Sequence, residues 1–190
     1  MKILYLHGFK SSPNSLKATL FKESIQPFNH IKLITPYLPD NPDLVIPFLK
    51  QLLDNNCFNA VMGSSLGGYY ATWIAERHDI KAVLINPVVY PETLLKEFIG
   101  WHTNPYSSAK FEITNNHLKY FKQLNITAIK RPENYQVFLQ TNDEVLNYKL
   151  AEKMYTGAEL IIKQNGNHEF KNFGQQIKKI HTFLKLSEKH

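Results

Sequence analysis

The chain has 190 residues, 43% apolar and 20% charged, with 22 Lys and Arg against 16 Asp and Glu for a net charge of +6. That is enough apolar material for one domain with its own core, and no run reaches the roughly 20 apolar residues a membrane span needs. The single cysteine, Cys57, excludes an internal disulfide and has no Cys or His partner at metal-ligand spacing, which fits a reducing compartment.

In chain order, apolar runs alternate with helical patterns. Residues 2–6 read as a short buried strand and 13–28 as a helix. Residues 31–35 form a second strand, stopped by Pro36, before a helix over 43–55 with Pro47 in its first turns. A third strand over 58–62 leads into a helix over 66–77, and a fourth over 82–85 ends at Asn86-Pro87. Residues 135–140 and 158–163 supply two more strands, with a helix near 145–155 between them and a last helix over about 170–186. Continuous apolar strands separated by helices predict an α/β fold in three layers, a mostly parallel six-stranded sheet with helices on both faces. Right-handed crossovers then put every strand's C-terminal end on one rim, where such sheets bind ligands.

The whole chain, 1–190, reads as a single domain. Its one irregular stretch is about 90–131, which carries Trp101, His102, Tyr106, Phe111, His117, Tyr120 and Phe121. We expect a helical insertion there, serving either as a lid over the rim or as a cover for one sheet face. Its aromatic residues suggest an apolar pocket or simple packing. The positive charge is almost all lysine, with Arg77 and Arg131 the only arginines, and its densest group is Lys171, Lys178, Lys179 and Lys185. Scattered lysines predict a solvated surface and no nucleic-acid partner. The N-terminal residues turn apolar at once but reach His7 too early for a signal peptide, so a cytoplasmic location is expected.

Chemistry concentrates at Gly63-Ser-Ser-Leu-Gly67, a Gly-x-Ser-x-Gly pattern between a strand and a helix. In a nucleophile elbow of this kind the central serine, Ser65, stands alone above the sheet, and the flanking Gly63 and Gly67 let neighbouring backbones approach. Ser64 is its rival, but only Ser65 has glycine on both sides at a spacing of two. A serine needs a neutral imidazole to take its proton and a carboxylate to orient that imidazole. In α/β-hydrolases these follow in the order Ser, Asp or Glu, His. Here the fifth sheet strand delivers Asp143, with Glu144 beside it, and the sixth delivers His168 after Gly166. Asp143 also reads as a helix N-cap. The loop after the first strand, His7-Gly8-Phe9, is placed to add the N–H of Phe9 to that of Leu66 as an oxyanion hole. Gly8 permits the close approach, and His7 buttresses the loop.

Leu4–Pro13, Gly63–Trp73, Asn86-Pro87, Asn104-Pro-Tyr106, Asp143–Leu146 and Gly166-Asn-His168 together resemble the YqiA-type bacterial esterases, small α/β-hydrolases with a compressed sheet. The resemblance covers nearly the whole chain. It implies a carboxylic-ester hydrolase with nucleophile, acid and base at Ser65, Asp143 and His168, and acyl-CoA thioesters as alternative substrates. Two residues depart from the pattern. Asn142 replaces a usual glycine and tolerates a left-handed backbone, and Glu169 replaces a small residue. The sequence contains no motif for a metal, a nucleotide phosphate or a dinucleotide, so neither metal nor cofactor is expected. A third reading keeps the scaffold as a non-catalytic binding protein.

Overall fold

The computed structural model describes residues 1–124 and 126–187. From the N-terminus come β1 (Lys2–Leu6), α1 (Leu16–Ser24), β2 (Lys32–Ile34), α2 (Pro42–Asp54), β3 (Ala60–Ser64) and α3 (Leu66–His78). β4 (Lys81–Ile85) is followed by an insertion of α4 (Pro91–Lys96), β5 (Gly100–Thr103), β6 (Lys110–Ile113) and α5 (Asn115–Leu124). β7 (Tyr135–Gln140), α6 (Tyr148–Met154), β8 (Glu159–Lys163) and α7 (Ile177–Leu184) complete the order.

Six strands form one sheet in the order β2-β1-β3-β4-β7-β8, and every pairing is parallel. Alternation along each strand divides two cores. Leu4 and Leu6 of β1, Val61 of β3 and Val137 and Leu139 of β7 face α2, α3 and α6. Ile3 and Tyr5, Met62, Ile85 and Phe138 face α1 and α7. Burial on both faces explains why the strands read as unbroken apolar runs. Each fully buried Leu, Ile or Phe contributes about 1.5–3 kcal/mol, so the central strands dominate the stability of the rim they carry. The chain reverses its winding between β1 and β3, which are neighbours. A crevice opens at such a switch point, outside the strands' carboxyl ends.

Four expectations are corrected in detail. The 90–131 insertion is not purely helical: β5 and β6 pair as an antiparallel ribbon, Gly100 opposite Ile113 and Thr103 opposite Lys110. The first helix starts at Leu16, because the Ser15 N–H closes a turn on the Ser12 carbonyl (3.1 Å). α6 starts at Tyr148, where Asn147 caps it by accepting from the Lys149 N–H (3.1 Å). The last helix starts only at Ile177, since Phe170 and Asn172 hold φ near +60° (62° and 60°) and break a helical path. Among the described residues no helix is long and apolar enough to cross a membrane.

Candidate active site

Ser65 is the only residue between β3 and α3, and it holds φ 54° and ψ −124°. That region is sparsely populated for a residue with a side chain and persists only when the surroundings over-determine it. Here they do. The Ser65 N–H donates to the Ile85 carbonyl (3.1 Å), and its own carbonyl accepts from Gly68 (2.9 Å) and Val88 (3.0 Å). A Cβ at Gly63 would collide with the Gly67 carbonyl, and one at Gly67 with the Leu6 carbonyl. The neighbouring Ser64 is buried in the sheet, whereas Ser65 keeps partial access to solvent.

The turn after β8 brings His168 to the same place. Gly166 holds φ 90°, and a side chain there would run into the Gln140 amide. That amide binds the turn, its Oε1 accepting from the N–H groups of Asn167 and Lys171 (both 2.9 Å). The Asn86 Nδ2 donates to the carbonyls of Asn167 (3.1 Å) and His168 (3.0 Å), and its Oδ1 accepts from the Gln140 N–H (3.0 Å). Asn86 is 2% exposed at φ 41°, so one amide ties the ends of β4 and β7 to the histidine turn. Sequence reading missed this role. Its only trace was the Asn-Pro pair at the end of a buried strand.

The His168 Nε2 lies 2.9 Å from the Ser65 Oγ, and Nδ1 lies 2.8 and 3.0 Å from the two Asp143 oxygens. A carboxylate only accepts, so the proton sits on Nδ1 and leaves Nε2 to accept from the serine hydroxyl. The Asp143 side chain is 1% exposed. Its Oδ1 also accepts from the N–H groups of Val145 (2.9 Å) and Leu146 (2.8 Å), so Asp143 closes the local turn as well as orienting the imidazole. Glu144, the rival carboxylate, meets the His168 main chain and not its ring, accepting from the His168 N–H at 3.0 Å. Hydrogen bonds from its own N–H and that of His168 hold the Glu144 carboxyl below its usual range. Asn142 keeps a negative φ; the left-handed turn expected there falls instead at Asn165 and Gly166.

His7 is buried, its Nδ1 donating to the Gly8 carbonyl (2.9 Å) and its Nε2 accepting from the Leu38 N–H (3.1 Å). Burial pushes this imidazole below its usual pKa, and the bonding pattern is that of the neutral ring. His7 thereby ties the loop after β1 to the segment after β2. A side chain on Gly8 would lie 3.2 Å from the Ser65 Cβ. Phe9 and Ser65 line the same cavity, and Leu66 opens α3. The Phe9 ring packs edge-on against Phe98 and Phe111 of the insertion, with centroids 5.5 and 5.6 Å apart. The tip of the β5–β6 ribbon is fastened too: the Asn104 Nδ2 donates to Asp40, as does the Ser107 Oγ (3.1 Å).

Two cavities border residues of this group. One, of about 180 Å³, contains Ser65 and His168 within walls rich in polar groups. The other, of about 380 Å³, is mostly apolar and runs from Val88 and Leu94 to Val145, Leu146 and Leu150, with Asp143 on its wall. The insertion contributes few aromatic side chains to it. Most of them pack on Phe9 or, like Tyr120 and Phe121, beside Tyr69 and Tyr70.

A family model described as an uncharacterised protein family, UPF0227, matches residues 2–185. The UPF0227 protein YcfP of Escherichia coli O9:H4 (strain HS) is 27% identical over 191 aligned positions, covering 97% of this chain and 99% of the relative. Among solved structures, alpha/beta hydrolase domain-containing protein 10 from mouse superposes with a TM-score of 0.76 at 16% identity, over 98% of this chain and 90% of that one. Est1E from Butyrivibrio proteoclasticus, solved with ferulic acid bound, gives 0.69 at 13% identity, over 97% and 88%. At these identities the likeness establishes the α/β-hydrolase fold, and the family match agrees with the kinship drawn from the motifs.

Proposed function

The chain belongs to the UPF0227 family, and from that membership together with the site geometry we propose that it is a serine hydrolase of carboxylic esters. The observation that carries the proposal is the continuous hydrogen-bonded chain from the Ser65 Oγ through both nitrogens of His168 to Asp143. His168 takes the hydroxyl proton as Ser65 attacks the ester carbonyl. The N–H groups of Phe9 and Leu66 receive the developing oxyanion, and Leu66 adds the positive end of α3. Proton return from His168 Nε2 to the alcohol oxygen breaks the ester bond and leaves an acyl-enzyme. Water, deprotonated by the same nitrogen, then releases the acid. Asp143 stabilises the transient imidazolium. The 380 Å³ apolar cavity falls in the size range of small-molecule pockets and suits the acyl chain. The packing of Phe9 on Phe98 and Phe111 supports the 90–131 insertion as a cover.

Labelling with a fluorophosphonate, followed by mapping of the adduct, tests the nucleophile directly: the adduct is expected on Ser65. Ser65→Ala should lower turnover by about 10⁴–10⁶-fold and Asp143→Asn by about 10⁴-fold, with the fold retained. An adduct on Ser64, or wild-type rates in Ser65→Ala, would refute the proposal. Comparing an oxygen ester with a coenzyme A thioester of equal acyl length assigns the preferred bond.

A further inference from the structure

We propose that the smaller cavity beside Ser65 is a subsite for an anionic group, a carboxylate or phosphate, carried on the alcohol portion of the substrate; this rests on the assignment of Ser65 as nucleophile above. Tyr5 is 1% exposed on β1 and lines this cavity with Ser15, and the Tyr5 Oη and Ser15 Oγ face one another with no further hydrogen-bond partner among the described residues. Two facing hydroxyls can share only one hydrogen bond between them, so one of their two protons is left for an acceptor in the cavity. Burial pushes the Tyr5 phenol well above its usual range, which keeps it a donor.

Lys17 lines the same space, half-buried, and gives one proton to the Glu169 carbonyl (3.0 Å). An ammonium has three donors, so two remain after the Glu169 carbonyl, and the Glu169 carboxylate attracts the cation from the mouth of the cavity. α1 begins at this wall as well. Its N-cap, Ser15, makes no capping bond, so the positive end of a nine-residue helix faces the cavity without its usual side-chain acceptor. Lys10 also lines the cavity, and Glu169 is the one carboxylate among the described lining residues, exposed at the mouth. The direction of the chemistry assigns the arm of the substrate. His168, on the wall of this cavity, returns its proton to the leaving oxygen, so the alcohol departs on this side. The apolar cavity is left for the acyl chain.

The test compares two esters with one acyl group, built on para-hydroxybenzoate and on its uncharged methyl ester. The measured quantity is the ratio of their kcat/KM values, charged over neutral. Lys17→Met should lower that ratio about tenfold, Lys17→Arg should retain it, and Tyr5→Phe should lower it in the same direction. Raising the salt concentration about tenfold should compress the wild-type ratio. A ratio unmoved by Lys17→Met and by salt would overturn the subsite. Should Lys17→Met fail to fold, product inhibition of the wild type decides: para-hydroxybenzoate should inhibit more strongly than its methyl ester, and equal inhibition would overturn the proposal. An enzyme that is labelled on Ser65 yet indifferent to the charge refutes the subsite alone. Absence of labelling and of both hydrolyses refutes the serine-hydrolase reading, and the subsite with it.

Discussion

Replacing Asn86 by alanine removes three hydrogen bonds from a residue that touches neither the serine hydroxyl nor the imidazole ring. The heaviest loss is at the Gln140 N–H, which sits in a residue 4% exposed and has the Asn86 Oδ1 as its acceptor. A buried donor left without a partner costs about 1–3 kcal/mol. The Asn167 and His168 carbonyls lie nearer the surface, where water replaces the amide at a smaller cost. Asn86 also holds φ 41°, which asparagine tolerates and alanine resists, adding roughly 1 kcal/mol. The sum is about 2–4 kcal/mol, or a drop in melting temperature of about 5–15 °C for a chain of this size. Turnover should fall about 10–100-fold, since the turn that carries His168 loses its tether and small misplacements are amplified in catalysis. Calorimetry and ester kinetics on Asn86→Ala and Asn86→Gly measure both effects. Glycine relieves the φ penalty but not the lost bonds, so Asn86→Gly should recover part of the stability and little of the rate. Wild-type stability and turnover in Asn86→Ala would refute the tethering argument.

Acid should destabilise the fold through two histidines. Burial pushes the His7 and His181 imidazoles below their usual range, against weaker opposing pulls on His7 from the Gly8 carbonyl and from Asp40. The unfolded chain therefore binds more protons as pH falls below about 6.5, and stability present above that value is lost down to the lowered folded pKa values. Urea midpoints across this window should fall with pH in the wild type and flatten in His7→Gln/His181→Gln; an unchanged slope in the double variant would exclude both. Asp40→Ala should release the ribbon tip, lowering stability by about 1–2 kcal/mol and exposing residues 104–109 to limited proteolysis. Tyr106 lies on that tip and lines the Ser65 cavity, so KM should rise more than kcat falls. Unaltered cleavage would show that Asp40 is not the fastening.

The sheet was legible because burial on both faces writes itself as runs such as Ala60-Val-Met and Tyr135–Leu139. The convergence of Ser65, Asp143 and His168 was expected from the Gly-x-Ser-x-Gly pattern, the chain order and the strand positions together. The β5–β6 ribbon was harder to read. Lys110-Phe-Glu-Ile113 does alternate, with Phe111 and Ile113 buried, but four residues are too few to outweigh a helical reading of the aromatic stretch. Helix starts at 16 and 148 were set by turn bonds from Ser12 and Asn147 that short polar residues offer at many places. The roles of Gln140 and Glu144 had no local signature, and that of Asn86 only the proline that follows it. Each depends on which strand ends become neighbours, and an Asn after a strand or a Glu after an Asp looks the same whether or not a partner waits across the sheet.

The conformation of Ser65 sets robustness against reactivity at a single position. Glycine would adopt those torsions freely, so a variant without the hydroxymethyl group gains a more relaxed, heat-tolerant fold and lacks the hydroxyl that the proposed reaction requires. Variants sifted for thermal endurance alone would thus drift toward silence at residue 65, and screens on this scaffold must score turnover alongside melting.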